Sequence, residues 1–162
     1  MMLHLIAVGT RMPMWVTEGF KEYQKRLIEC KLNLIAITPS KRSKNSKVPQ
    51  LIAEEEKKIQ AAVPKQSRRI ALDEKGELWN TKQLAQALHQ WQLDRQDISF
   101  LIGGPDGLGL DCLNSAERIW SLSPLTLPHP LVRILIAEQL YRAWSMLKGH
   151  PYHRDNCIFK KF

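Results

Sequence analysis

The sequence predicts an α/β fold with a mostly parallel sheet and helices on both faces. Two observations carry that expectation. Short apolar runs alternate with longer stretches of helical periodicity, and no repeat, low-complexity segment or linker interrupts the alternation over 162 residues. Leu3 to Val8 reads as the first strand. Pro13 suits an early helical turn, and Val16, Phe20, Tyr23 and Leu27 then recur at helical spacing. Leu32 to Ile37 is the second strand, and Pro49 opens a helix through Val63. Arg69 to Leu72 is the third strand. Asn80 and Thr81 introduce a helix carrying Leu84, Leu88 and Trp91, Ile98 to Ile102 is the fourth strand, and Asp111 caps a short helix through Arg118.

Leu131 to Leu147 predicts the last and most apolar helix, with an apolar arc wider than one face. A helix of that kind is buried on more than one side. A homodimer interface is the preferred explanation, and a central helix wrapped by its own chain is the other.

The length suffices for one ordinary core without disulfides or metals. A formal charge of +8 favours polyanionic partners: RNA, DNA or an anionic membrane surface. Cys30, Cys112 and Cys157 are scattered and odd in number, which argues against a disulfide frame or a metal site. The opening MMLHLIAVG lacks the basic front and cleavage site of a signal peptide, and no apolar run reaches membrane-spanning length. A cytosolic, soluble protein is the simplest reading.

Four segments carry candidate chemistry. IGGPDGL, Ile102 to Leu108, follows the fourth strand, where glycines let backbone approach a ligand; the same residues also make a serviceable turn. It lacks the Lys-Ser or Lys-Thr of a phosphate-binding loop. In LTLPHPL, Pro128 and Pro130 stiffen the chain around His129, which suits either a ligand wall or a plain helix entry. SKRSKNSK places Lys41, Arg42, Lys44 and Lys47 in one run without an acid: a solvated loop, or one that contacts phosphate. The tail KGHPYHR brings His150, Tyr152, His153 and Arg154 together just past a helix, able to bind phosphate, stack on a base and move protons, or simply to be a chain end.

AVGTRMP, IGGPDGL and above all LTLPHPLVRILIAEQLYRAW followed by HPYHR closely resemble the RlmH family, over about Met2 to Arg154. The family comprises ribosomal RNA large-subunit methyltransferases of the knotted SPOUT class. The resemblance implies one methyltransferase domain over residues 1–154 with a C-terminal trefoil knot. It implies transfer of a methyl group from S-adenosylmethionine to N3 of pseudouridine 1915 in helix 69 of 23S rRNA, by a cytoplasmic homodimer acting on assembled ribosomes. No metal and no membrane are involved.

Carried over by position, the donor is expected at Leu72, Gly103 and Leu122, Ser123, Pro124, Leu125, Thr126 and Leu127. His153 is expected as proton acceptor or relay, with Tyr152 stacking on or orienting the base. Arg154 grips phosphate, together with Lys41, Arg42, Lys44 and Lys47. Family members usually stop close to this Tyr-His-Arg, whereas here Asp155 to Phe162 continue as an extension. Two other readings compete: a noncatalytic ribosome-binding or assembly factor, and a flavodoxin-like nucleotide module with no RNA role.

Overall fold

Every strand of the sheet is parallel to its neighbours, and that arrangement determines where the helices lie. In the computed structural model, which describes residues 1–154, β1 (Met2–Val8), β2 (Lys31–Ile37), β3 (Arg68–Leu78), β4 (Ile98–Ile102) and β5 (Arg118–Ser121) run in the order β2-β1-β4-β3-β5. Parallel neighbours need crossover connections, which cover both faces and make central strands apolar throughout. Accordingly, every residue of β4 is buried, as is β1 from Leu3 to Val8. The extension expected over 155–162, with Cys157, lies outside the described residues.

The twofold alternation along β1 divides the core. Leu3, Leu5 and Ala7 join one cluster with Phe20, Leu88, Phe100 and Ile136. Ile6 and Val8 join the other with Ile59, Leu101 and Cys112. The first cluster lies beneath α1 (Met14–Arg26), α3 (Thr81–Leu93) and α5 (His129–Leu147), and α5 packs against both of the others. α2 (Val48–Ala62) and α4 (Leu110–Ser115) contact each other over the second cluster.

Most of the apolar arc of α5 is therefore covered by its own chain. Ile136, Ala137, Leu140 and Ala143 are fully buried, whereas Leu131 and Leu135 in the first half of the helix remain 39% and 38% exposed. Helix entry follows local chemistry in two places. Asn80 and Gln83 form a reciprocal capping box at α3, and Pro sits in the first turns of α2 and α5.

The structure corrects two expectations. The short helix begins after Gly109 and ends at Ser115 rather than running from an Asp111 cap to Arg118. Its free amides find a distant acceptor instead: the buried Glu56 carboxylate takes the Cys112 N–H at 2.8 Å. Arg118 then opens β5, a fifth strand that its four residues, two exposed and two buried, do not announce. β3 is also longer than its apolar run. It pairs with β4 over Arg68–Leu72, departs at residues 73–76, and pairs again with β5 at Glu77 and Leu78. Gly76 makes that return possible, because a Cβ there would lie 2.6 Å from the Ile119 carbonyl oxygen.

Candidate active site

A cavity of about 680 Å³ opens at the carboxyl ends of β3, β4 and β5. One wall is Leu72 with the β3 excursion through Asp73, Glu74 and Lys75, and the second is the glycine loop from Ile102 to Leu108. The third is formed by Trp120 to Ser123, Leu125 to Leu127, and His129 with Val132 on the first turn of α5. Three segments far apart in sequence thus meet at Leu72, Gly103 and Leu127. Of the residues expected to hold a donor, Pro124 alone is not on the cavity wall.

Backbone geometry shapes each wall. In the glycine loop, Gly107 N donates to Gly104 O at 3.0 Å and Gly107 sits at φ 83°, a left-handed turn that glycine adopts without penalty. Gly103 packs so closely on the returning arm that a Cβ there would lie 2.4 Å from the Gly107 carbonyl carbon. In the third segment, Ser123 Oγ accepts from Leu125 N at 2.9 Å while Ser121 Oγ donates to Ser123 O at 3.1 Å. Thr126 Oγ1 donates to Glu74 Oε2 at 3.4 Å, tying the third wall to the first.

The wall carries Asp73, Glu74 and Asp106 against Lys75, an acidic cavity in a chain with formal charge +8. Two buried ring nitrogens on it, Trp120 Nε1 and His129 Nδ1, have no hydrogen-bond partner. Burial, and secondarily the Arg133 charge, lower the pKa of His129 below its ordinary 6.5. Arg133, one turn along α5, is 3% exposed. Its Nη2 donates to the carbonyls of Gly9 at 2.6 Å and Val8 at 3.2 Å, fixing the start of α5 to the end of β1.

The basic loop lies beside this cavity. Lys41, Arg42, Lys44 and Lys47 are all exposed between β2 and α2, and Arg42 forms an ion pair with Asp106 on the cavity wall. The root of the loop is fixed by a buried carboxylate: Glu55 Oε1 accepts from Ser40 N at 3.1 Å, and its Oε2 would lie 3.2 Å from a Cβ on Gly104.

The tail is not brought to the cavity of its own chain. α5 ends at Leu147, Gly149 (φ 64°) turns the chain, His150 N donates back to Ser145 O at 2.9 Å, and Tyr152 folds onto the helix. The Tyr152 hydroxyl donates to Glu138 Oε1 at 3.0 Å, its ring lies 4.6 Å from that of Tyr141, and Arg142 covers its face at 4.8 Å. Desolvation, and then hydrogen bonding with Tyr23 and Glu138, raise its pKa. Tyr141 is twelve residues along α5 from His129, roughly 18 Å at about 1.5 Å per residue. His153 is partly buried and Arg154 exposed at this same end.

Asp73 to Lys75 and Trp120 were not among the expected site residues. The acids directly follow the strand end at Leu72, a position at which parallel sheets bind ligands, and that placement was their available signal. The two described thiols are removed from the chemistry: burial raises Cys30, and with Glu56 raises Cys112 to about 12. Among the described residues no group of His, Cys, Asp or Glu is arranged to hold a metal, and no helix is long and apolar enough to cross a membrane.

Comparison with known proteins agrees with this architecture. The family described as predicted SPOUT methyltransferase matches residues 1–153. A probable methyltransferase from Bordetella pertussis Tohama I superposes with a TM-score of 0.55 at 15% identity, covering 87% of this chain and 95% of that one. A probable methylase family protein from Haemophilus influenzae Rd KW20 gives 0.53 at 14%, covering 95% and 70%. A structure described as giving structural insights into the 2-OH methylation of C/U34 on tRNA gives 0.53 at 19%, covering 89% and 91%. At these identities the likeness is one of fold.

Proposed function

The chain belongs to the SPOUT methyltransferase family, and from that premise we propose that it methylates N3 of pseudouridine 1915 in helix 69 of 23S rRNA, on the ribosome in the cytoplasm. The methyl donor is S-adenosylmethionine. The observation that carries the reading is the convergence of Leu72, Gly103 and Leu127 on one cavity. Its volume, about 680 Å³, falls in the range of small-molecule sites. The residues present fit the donor. Main-chain groups of three loops suit an adenine edge, aliphatic side chains suit its faces, and the acids suit a cationic ligand.

The donor supplies a methyl group on positively charged sulfur, so the protein's task is to align a nucleophile with it. Leu122 to Leu127 and the glycine loop hold the donor. The basic loop, joined to the cavity wall by Arg42 and Asp106, places RNA phosphates near the opening. We assign Tyr152, His153 and Arg154 to the site of a second copy. Within one chain, Tyr152 docks far down α5 from His129, while Leu131 and Leu135 leave an apolar strip at the cavity end of that helix. A homodimer built on that strip lets each tail serve its partner. We assign the trefoil knot that the resemblance implies to the passage from β5 into α5, which packs against both α1 and α3.

Transfer of labelled methyl from S-adenosylmethionine to ribosomes lacking the modification, with the modified nucleotide mapped by mass spectrometry, tests the reading. Label on N3 of that pseudouridine is expected. Label on transfer RNA alone rejects the substrate, and binding without transfer identifies a noncatalytic ribosome factor. Neutralising Lys41, Arg42, Lys44 and Lys47 together is expected to weaken ribosome binding and to flatten its log–log salt dependence by up to about three units. Donor affinity in the absence of ribosomes stays unchanged. An unaltered salt slope would make the loop ordinary surface.

A further inference from the structure

We infer that His129 is the proton acceptor for methyl transfer: held in the cavity wall between two prolines, its imidazole takes the hydrogen that leaves the nucleophilic nitrogen of the base. The inference rests on the reading above, in which the target nitrogen carries a hydrogen, and it leaves the partner's His153 to position the base rather than to accept its proton.

Three observations converge on this residue. First, among the described residues of one chain it is the only histidine on the cavity wall, where the other ionisable residues are Asp73, Glu74, Lys75 and Asp106. An imidazole is the side chain whose ordinary titration range lies nearest neutrality. Second, it is fixed. Pro128 and Pro130 flank it, it opens α5, and its Cε1 would lie 3.6 Å from a Cβ on Gly9. Third, the ring has a direction. Nδ1 is shut away from solvent without a partner among the described residues, which leaves Nε2 as the nitrogen to meet a base in the cavity. In the tautomer with its hydrogen on Nδ1, Nε2 offers its lone pair.

The step balances. The bond from base nitrogen to methyl carbon forms as the carbon–sulfur bond breaks, and that electron pair remains on sulfur as a neutral thioether. The N–H proton passes to Nε2, so the positive charge that leaves sulfur reappears on the imidazolium, which later releases its proton to water. The charged group acting on the ring is Arg133 from α5; Asp73, Glu74 and Lys75 of β3 and Asp106 of the glycine loop share the cavity wall, and Gly9 and Met12, from the β1–α1 connection, carry no charge. Burial and Arg133 keep the ring unprotonated at neutral pH, as a base must be.

The test is single-turnover methyl transfer to unmodified ribosomes across pH, with wild type and His129→Gln, alongside donor affinity by calorimetry. For wild type, the rate is expected to rise with pH through an inflection below 6.5 and then level off. His129→Gln is expected to lose the inflection and roughly 100-fold or more of the rate, with donor affinity unchanged. A flat wild-type profile over that range overturns the inference without recourse to any variant. A His129→Gln enzyme that transfers as fast as wild type overturns it too, as does one whose whole deficit lies in donor affinity. Wild type inactive on these ribosomes overturns the substrate reading, and His129 with it. Wild type active beside an equally active His129→Gln overturns His129 alone.

Discussion

Gly103→Val is expected to abolish donor binding, lowering affinity at least about 100-fold, which corresponds to roughly 2.7 kcal/mol. A Cβ at Gly103 would lie 2.4 Å from the Gly107 carbonyl carbon, 2.5 Å from its oxygen and 2.7 Å from Leu108 N. All three are backbone atoms, so no side-chain rotation relieves the contact, and valine adds two methyl groups to it. The loop has to open, and the loop is one wall of the cavity. The sequence alone points to the same substitution for a different reason, namely a side chain occupying the space of the ligand. In the structure the collision is within the loop itself, so even alanine should weaken the donor. Strand β4 is buried beneath Gly103 from Ile98 to Ile102, and the sheet survives a local rearrangement above it. Calorimetric titration with S-adenosylmethionine, beside thermal unfolding to confirm the fold, checks this; affinity within a few-fold of wild type would show that the loop is not a donor wall.

Two inactive variants are expected to rescue one another. Gly103→Val removes the cavity but keeps its tail, and His153→Ala removes the tail histidine but keeps its cavity. If each tail serves the partner's cavity, the mixed dimer holds one intact site. The purified mixed dimer then carries about half of wild-type sites, given closed twofold association. Each variant alone stays near background. The readout is methyl transfer after co-expression with two different affinity tags and sequential purification of the mixed species. A mixed species as inactive as its parents would place the tail and the cavity in the same protomer, or the tail outside the chemistry.

The sequence disclosed the regular parts of the fold because their cause is local. β1, β2 and β4 are apolar runs of strand length, and Asn80 with Gln83 writes a helix start directly into the chain. β5 was invisible because RIWS carries too little apolar signal, and it is pairing with β3 that makes it a strand. The second half of β3, rich in acids and glycine, reads as a loop for the same reason: its strand character comes from a neighbour whose own existence is tertiary. For the site, glycines after a strand and a Pro-His-Pro corner were each legible as candidates and ambiguous singly. Their meeting with Leu72 around one cavity is a property of the strand order. The position of Trp120 on that wall follows from the unread strand, and the tail's docking on Tyr141 and Glu138 depends on where α5 ends.

The central position of α5 has a consequence for how the polypeptide is made. The residues that seal the larger core cluster, Ile136, Ala137, Leu140 and Ala143, lie in the last quarter of the chain, against strands and helices from its first two thirds. During synthesis α1 and α3 cover only part of the apolar face that carries Leu3, Leu5, Ile70 and Phe100, and the lid stays incomplete until α5 leaves the exit tunnel. Folding is thus a late, long-range event that waits for distant segments to find each other. Trimming into the final helix would strip the lid from the sheet rather than shorten a surface appendage.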